Sequence, residues 1–314
     1  MTAKLHPLKI HKNIKDIEIE VPVLTMGTFD GLHIGHLHVL EQLKQTTQIQ
    51  GGHSVILTFW PHPKKIIGSG DIQLLNTIEE KTELFEKNNI DHLIILDFTK
   101  ELAELSYANF VKDILVDKLK IKHLIFGYDH RFGKNGEGTF EKLKPLAKQY
   151  NFKLHKLDEI RIGHAVSSTR IRHAIANGHV QEASKMLGYP YQLKGTVVKG
   201  EQIGRKIGFP TANLSISCPY KLIPGNGVYA CKACLNGKAI PAMMNIGVKP
   251  TINDKNQRSV EVHLIDFSKD LYQSEVRVEL IKRIRQEKKF PSLKELTLQL
   301  EDDRKKTMEI LNQL

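Results

Sequence analysis

Residues 27–36 read Gly27-Thr28-Phe29-Asp30-Gly31-Leu32-His33-Ile34-Gly35-His36, and this stretch decides the fold of the first half of the chain. An apolar run over 21–26 precedes it and predicts a buried strand. Residues 38–44 follow it, and their apolar positions recur at helical spacing. The stretch is therefore predicted to be a turn between a strand and a helix. In an open α/β sheet this is the place where ligands bind.

The residues of this turn suit a bulky anion. Gly27, Gly31 and Gly35 let the backbone approach a ligand without Cβ clashes, and the start of the helix presents N–H groups and a positive dipole end. His33 and His36 are three residues apart, so both imidazoles can face the same phosphates on a first helical turn. A histidine that donates a hydrogen bond to a phosphoryl oxygen stabilises the charge that grows there in the transition state, which lowers the barrier to transfer of the phosphoryl group. Two ordinary histidines beside a glycine-rich loop are the alternative interpretation.

The pattern Gly-x-Phe-Asp-Gly-x-His-x-Gly-His resembles the signature of nucleotidylyltransferases related to class I aminoacyl-tRNA synthetases. It resembles most closely the amino-terminal module of bacterial bifunctional riboflavin kinase/FMN adenylyltransferases, which make FAD. The resemblance implies that His33 and His36 bind the ATP phosphates and stabilise the pentavalent α-phosphorus. It also implies that four further residues of the turn line the nucleotide site: Gly27, Phe29, Asp30 and Gly31.

The rest of the first half alternates apolar strands with helices. Strands are predicted over 54–60, 91–98, 122–127 and 152–157, whereas residues up to about 20 are polar and support no prediction. This alternation predicts a parallel sheet with right-handed crossovers, a Rossmann-like α/β domain.

A binding loop is predicted after the fourth of these strands, over residues 127–133. It resembles the family segment Gly-x-Asp-Phe-Arg-Phe-Gly, which implies that Asp129 and Arg131 contact the flavin or the nucleotide. His130 stands where the family usually has Phe, although an imidazole can still stack. A mobile basic loop is the alternative interpretation.

A second anion site is predicted where Ser167-Ser168-Thr169-Arg170-Ile171-Arg172 opens a helix that is expected to end at Gly178. The motif resembles the family's Ser-Ser-Thr-x-Ile-Arg segment. The resemblance implies that Ser167, Thr169 and Arg170 hold the β- and γ-phosphates of ATP. A plain capped helix is the alternative, but such a helix would not need Arg170.

The pattern changes after residue 190, where short runs of alternating residues replace the strand–helix rhythm. Six strands are predicted over 192–199, 211–217, 228–235, 238–246, 260–267 and 275–284, and they predict an antiparallel β-barrel. Ser292 and Glu295 then form a capping box for a closing helix. We expect an adenylyltransferase domain over 1–187 and a riboflavin kinase domain over 188–314.

The segment 204–213 resembles the phosphate loop of riboflavin kinases. Its glycines permit close backbone contact with ADP phosphates, and the resemblance places Gly204, Lys206 and Gly208 around them. The Thr211 hydroxyl and the Asn213 amide oxygen are hard ligands suited to Mg²⁺, a role that the resemblance also implies. A glycine-rich hairpin of the barrel is the alternative.

The strand 260–264 places Glu261 and His263 on one face and Val260, Val262 and Leu264 on the other. A carboxylate at the mouth of a small barrel can take the proton from the 5′-hydroxyl of riboflavin. The resemblance assigns the catalytic base to Glu261, whereas alternation alone is equally typical of an exposed hairpin face.

Composition narrows the class of protein further. The chain has 314 residues and a formal net charge of +11. Its Lys and Arg residues are dispersed, which favours polyphosphate substrates over nucleic acid. Neither an apolar run of about 18 residues nor a signal peptide is recognisable, so a cytoplasmic protein without a membrane span is expected. The three cysteines predict no disulfide framework, and Cys231 and Cys234 point to opposite faces of a strand, which disfavours zinc.

Together these features predict a bifunctional enzyme. The barrel would phosphorylate riboflavin with Mg·ATP, giving FMN and ADP, and the α/β domain would transfer AMP from ATP to FMN, giving FAD and pyrophosphate. Two alternatives stay open from the sequence. In the first, only one of the two activities is retained. In the second, the chain is a basic, non-catalytic module that binds nucleic acid or flavin.

Overall fold

The computed structural model describes residues 7–15, 17–68, 72–128, 130–158, 161–162, 164–200, 203–235, 237–249 and 257–313. The chain divides into two compact units, the first ending at Val166 and the second beginning at Ser167. None of the helices in these ranges is both long and apolar enough to cross a membrane.

The first unit is built on a six-stranded parallel sheet with the order β1-β4-β3-β2-β5-β6. The chain adds β3 and β4 on one side of β2 and then β5 and β6 on the other. The order therefore reverses at the carboxyl end of β2, where ligands bind in such sheets. The strands are β1 Lys9–His11, β2 Pro22–Met26, β3 His53–Trp60, β4 His92–Asp97, β5 His123–Phe126 and β6 Lys153–Lys156.

Helices lie between these strands, and a two-stranded hairpin follows them. The helices are α1 Ile34–Gln50, α2 Pro63–Ile67, α3 Ile78–Lys87, α4 Lys100–Glu104, α5 Tyr107–Asn109 with a π-helical continuation Phe110–Val116, and α6 Phe140–Gln149. A 3₁₀ turn occupies Lys134–Gly136, and the hairpin strands are β7 Arg161–Ile162 and β8 His164–Ala165. The predicted α/β domain is confirmed.

The central strands β2 to β5 are buried on both faces of the sheet, which is why they are largely apolar runs. Val23 packs with Leu40 of α1 and Phe85 of α3 on one face. Leu24, its neighbour in sequence, packs with Phe110 and Leu143 on the other face. Strand β1 was not expected, because its three residues are too few to show a periodic pattern.

The second unit is a closed antiparallel barrel, as predicted. Its strands have the order β10-β13-β12-β11-β14-β9. Its strands are β9 Tyr191–Val198, β10 Ala212–Ser215, β11 Gly227–Leu235, β12 Lys238–Lys249, β13 Gln257–Leu264 and β14 Glu275–Arg285. Its helices are α7 Ser168–Ala176, α8 Val180–Leu187, α9 Ile203–Lys206 and α10 Leu293–Asn312.

Two sets of contacts hold helices on this barrel. The fully buried carboxylate of Asp303 on α10 accepts from Arg285 Nε at 3.0 Å and lies 2.8 Å from its Nη2. On α7, the Ile175 carbonyl accepts from Gly225 N at 3.0 Å. Helices α7 and α8 thus belong to the second compact unit, whereas the predicted division at 187/188 concerns function and stays a prediction.

The ends of α7 and α10 follow the capping signals in the sequence. Glu295 N donates to Ser292 Oγ at 3.3 Å, as the capping box predicts. Helix α7 has Asn177 as its C-cap, and Gly178 follows it with φ +77°. The glycine is therefore one position beyond the cap.

Candidate active sites

The turn after β2 has an unusual backbone. Phe29, Gly31 and Leu32 have φ values of +47°, +91° and +33°, a region that bulky side chains rarely adopt. Gly27 N donates to Leu57 O at 3.0 Å and so attaches the turn to β3. Such strain persists only where the surroundings enforce it, and it is concentrated at functional sites.

His33 and His36 lie together at the start of α1. His33 is the N-cap, one position earlier than a helix beginning at Gly35 would place it, and its Nδ1 accepts from His36 N at 3.4 Å. The two rings stack with centroids 3.7 Å apart and planes 15° apart. A Cβ on Gly35 would lie 3.2 Å from the His33 ring, so a glycine here allows this packing.

The environment of His36 favours a neutral imidazole. Burial, and then the neighbouring His33, Lys81 and His130, hold the pKa of His36 well below its usual value. In neutral His33 the proton lies on Nε2, because Nδ1 accepts a hydrogen bond. Nδ1 of His36 is buried and has no hydrogen-bond partner among the described residues. A buried polar atom of this kind is unusual, and a catalytic role or a bound water or ligand accounts for it in known structures.

Two buried charged residues connect the turn to α3 and to the segment before it. The Asp30 carboxylate, 1% exposed, accepts from Leu75 N at 3.0 Å and Asn76 N at 3.2 Å. Lys81, fully buried, donates from Nζ to Thr28 O at 2.9 Å. Asp30 was expected at the nucleotide, but these contacts show that it also shapes the turn. Lys81 was not predicted, because a lysine in a helix usually indicates a solvated face.

The loop after β5 brings an imidazole next to aromatic rings. His130 meets the Phe126 ring edge-on at a centroid distance of 5.1 Å and lies nearly parallel to Phe132 at 6.3 Å. The imidazole thus packs against aromatic rings, in line with the expectation that it can still stack. Arg131 is exposed, and Asp129 lies outside the described residues.

The predicted β,γ-phosphate residues lie at the start of α7. Ser167 is the N-cap, and its Oγ accepts from Arg170 N at 3.4 Å. Thr169 is exposed, and Arg170 Nη2 lies 4.0 Å from Glu182 Oε1 of α8. The hydroxyl and guanidinium groups thus share a helix N-terminus, and Glu182 offers Arg170 a structural partner that the sequence did not suggest.

The second site lies on the outer surface of the barrel. Thr211 Oγ1 donates to Glu261 Oε2 at 3.3 Å, and Asn213 is the register partner of Glu261 across β10 and β13. Asn245 is the register partner of Glu261 on the other side, across β12 and β13. One carboxylate therefore has a threonine hydroxyl and two asparagines as its strand neighbours. No role was predicted for Asn245 from the sequence.

Two backbone N–H groups of the loop before Thr211 donate to the same carbonyl oxygen. Gly204 O accepts from Ile207 N at 3.2 Å and from Phe209 N at 2.8 Å. Gly208 has φ +86° and open space around its α-carbon, which suits close approach of a ligand. Lys206 is the last residue of α9, and its side chain lies outside the described part of the structure.

Glu261 faces away from the packed interior of the barrel. Val260, Val262 and Leu264 are at most 6% exposed, whereas Glu261 and His263 alternate with them and are half-buried. The predicted alternation of faces is thus observed, and the carboxylate stands beside the loop 204–211. His263 Nδ1 lies 2.8 Å from Pro210 O, so its ring supports this loop from behind.

These two sites point to a class of protein: a transferase with a histidine-bearing turn on a parallel sheet and a separate oxygen-rich site on a barrel. Comparison with known proteins agrees. The FAD synthetase family model matches residues 16–170, and the riboflavin kinase model matches residues 187–311.

Curated relatives match almost the whole chain. Proteins named bifunctional riboflavin kinase/FMN adenylyltransferase are 38% identical in Listeria monocytogenes, covering 91% of each chain, and 35% identical in Bacillus subtilis, covering 99% of this chain and 98% of the relative. A crystal structure from Streptococcus pneumoniae, described as a macrolide-efflux protein, superposes with a TM-score of 0.87 at 29% identity, covering 96% of this chain and 99% of that one.

The chain belongs to the bifunctional riboflavin kinase/FMN adenylyltransferase family. It contains both enzyme domains, and enzymes of both kinds use ATP as a substrate. The predicted family and fold class are thereby confirmed, while the roles of single residues stay predictions.

Proposed function

We propose that this chain makes FAD in two steps at two separate sites, one on the barrel and one in the first unit. The barrel phosphorylates the 5′-hydroxyl of riboflavin to give FMN, and the first unit carries the histidine pair that transfers AMP from ATP to FMN. The observation that carries the proposal is the coexistence, in one chain, of the His33–His36 pair at a helix start and the Thr211–Glu261 contact on the barrel.

In the kinase step, Glu261 takes the proton of the 5′-hydroxyl while that oxygen bonds to the γ-phosphorus of ATP and ADP leaves. The loop 204–211 is adjacent to this carboxylate, so Gly204, Lys206 and Gly208 are suited to hold the phosphates.

The residues beside Glu261 also fit Mg²⁺. The Thr211 hydroxyl and the Asn213 amide oxygen are hard donors next to a carboxylate, which is the ligand chemistry that Mg²⁺ prefers. When bound, the ion would neutralise charge that develops on the phosphates. Among the described residues no group of three or more His, Cys, Asp or Glu side chains could hold a metal. A site made from hydroxyl and amide oxygens does not require such a group.

In the adenylyl step, a phosphate oxygen of FMN attacks the α-phosphorus of ATP, and pyrophosphate leaves. His33 Nε2–H and His36 donate to the phosphoryl oxygens as their charge grows. Gly27, Phe29 and Gly31 shape the turn that receives these phosphates.

The remaining predicted residues act on the outer parts of the substrates. Ser167, Thr169 and Arg170 bind the β- and γ-phosphates, and Arg131 with Asp129 contacts the flavin or the nucleotide. No covalent intermediate with the enzyme is needed.

Matched substitutions at the two sites test this assignment. Glu261→Gln keeps the size of the side chain but removes the base, so we expect FMN formation to fall roughly 10²- to 10⁴-fold while conversion of added FMN to FAD persists. His36→Asn should do the reverse. Both reactions are followed separately by chromatography of the flavins, with His179→Asn, an exposed residue on the second unit, as a control. If either folded variant lost both activities, two independent sites would be excluded.

A further inference from the structure

The strained turn of the first unit rests on a lysine that is completely buried. Lys81 lies in the first half of α3, and its Nζ donates to Thr28 O at 2.9 Å. Its side chain has no solvent exposure, although burying an ammonium group is costly unless neighbouring groups compensate for it. Burial lowers the pKa of Lys81 below its usual value, and the charge of Asp30 opposes this shift and so supplies part of the compensation.

The contact with Thr28 determines which way one peptide group points. In a trans peptide the C=O and the following N–H point in opposite directions. Because Lys81 holds the Thr28 carbonyl on the buried side, the N–H of Phe29 is directed to the other side of the turn. Phe29 is also a residue with a strained φ of +47°, so the turn needs an external contact to keep this conformation.

The position of Lys81 also connects it to the histidine pair. The Phe29 ring packs edge-on against both His36, at 5.2 Å, and Phe85 of α3, at 5.6 Å. The charge of Lys81 is close enough to His36 to lower its pKa. Helix α3 thus contacts the turn through the ring of Phe85 and the ammonium group of Lys81. The first contact reaches His36 through the Phe29 ring, and the second affects the charge of His36.

We propose that Lys81 is a positioning residue of the adenylyl-transfer site: it holds the Thr28–Phe29 peptide and the adjacent His36 ring in the arrangement that receives the ATP phosphates. This inference rests on the function proposed above. Lys81 itself does not touch the substrate. It acts through the turn, with Asp30 making the reciprocal contact to the backbone of residues 75 and 76.

Lys81→Met tests the role of the ammonium, because methionine keeps an unbranched chain but has no charge and no donor. We expect kcat for conversion of FMN to FAD to fall roughly 10²-fold, a loss typical of misplaced transition-state donors. Phosphorylation of riboflavin by the barrel of the same molecule should stay within about 2-fold, which provides an internal control. Ile90→Ala controls for loss of stability, because Ile90 is a buried residue just after α3 in the same apolar cluster as Phe85 but carries neither a charge nor a hydrogen-bond donor on its side chain.

A second measurement tests whether the charge of Lys81 acts on His36 in the folded protein. NMR titration of the His36 ring should show a higher pKa in the Lys81→Met protein and an unchanged one in Ile90→Ala. Unchanged adenylylation, an equal loss in Ile90→Ala, or an unaltered His36 titration would each overturn the inference. Wild-type protein that made no FAD from FMN would instead refute the proposed function, and the titration would still decide the role of Lys81.

Discussion

Two histidine pairs hold the edge strands of the parallel sheet, and we predict that acid weakens the first unit through them. His11 Nε2 of edge strand β1 lies 2.9 Å from His92 Nδ1 of β4, and His155 Nε2 of edge strand β6 lies 3.1 Å from His123 Nδ1 of β5. The ring centroids are 5.2 and 5.4 Å apart with planes 8° and 19° apart. These contacts are therefore N–H···N hydrogen bonds rather than close face-to-face stacks.

The two pairs have the same register. Lys9-Ile10-His11 runs beside His92-Leu93-Ile94 with Lys9 opposite His92, and Lys153-Leu154-His155 runs beside His123-Leu124-Ile125 with Lys153 opposite His123. An N–H···N bond needs one donor and one acceptor nitrogen, so it is lost when both rings are protonated. The positive charge of Lys9 also disfavours protonation of His92, the inner histidine of the first pair, and the charge of Lys153 does the same for His123 in the second.

The size of the stability loss in acid can be worked out from His92, the inner histidine of the first pair. Burial, then the charges of His11, His53 and Lys9, lower the pKa of His92 from 6.5 to about 4, against a smaller opposing effect of Asp91. The unfolded chain therefore binds more protons than the folded chain below pH 6.5, and stability falls as the pH falls from 6.5 towards 4. At 1.36 kcal/mol per unit, His92 alone costs about 3 kcal/mol.

The second pair adds to this loss in the same direction. Burial, then His155 and Lys153, lower the pKa of His123. Burial and Lys153 also lower the pKa of His155.

Urea unfolding followed by the fluorescence of Trp60 measures this effect, since the chain has one tryptophan and it ends strand β3 of the sheet. Between about pH 8 and about pH 4, wild type should lose at least about 3 kcal/mol more than the double variant His92→Asn, His123→Asn. His179→Asn should behave like wild type. Parallel pH profiles for wild type and the double variant would refute the reasoning.

Three further predictions concern the barrel. Asp303→Ala leaves Arg285 without its buried partner and should destabilise the second unit by about 3–5 kcal/mol in chemical unfolding. Asp302→Ala should have a much smaller effect, because the half-buried Asp302 only forms a surface ion pair with Lys306. Gly178→Ala should lower the Tm of that unit in calorimetry, because φ is +77° and a Cβ would lie 2.8 Å from Tyr229 Oη. Phe209→Ala should reduce riboflavin phosphorylation in the flavin assay and spare adenylylation, because this ring packs against His263 behind the loop 204–211. A normal kinase rate in that variant would show that the loop does not depend on this packing.

The fold was largely predictable because its signals are local. The central strands of the sheet are apolar runs long enough to recognise, and strands of the barrel contain alternating stretches, most clearly β9 and the first part of β14. Strand β1 escaped notice because pairing with β4, rather than its own sequence, makes Lys9–His11 a strand. The histidine pairs were missed for the same reason, since register between distant segments cannot be obtained from one sequence.

The sites divide along a similar line. Residues predicted to carry chemistry lie where the local chain determines geometry: His33 and His36 at a helix start, Thr211 after a glycine loop, and Glu261 on an alternating strand. The spacing predicted that His33 and His36 could face the same phosphates, whereas the contact between Thr211 and Glu261 depends on the register of β10 and β13.

The residues that the sequence did not reveal are those that hold these groups in place. Lys81 and Asn245 reach their sites from a different helix and a different strand, and neither has a local pattern that distinguishes it from a surface lysine or a strand asparagine. Lys81 becomes informative only when its complete burial and its bond to Thr28 are known, because a buried ammonium needs a compensating role. Substitutions chosen from motifs alone would therefore test the chemistry of both sites but leave untested the contacts on which their geometry depends.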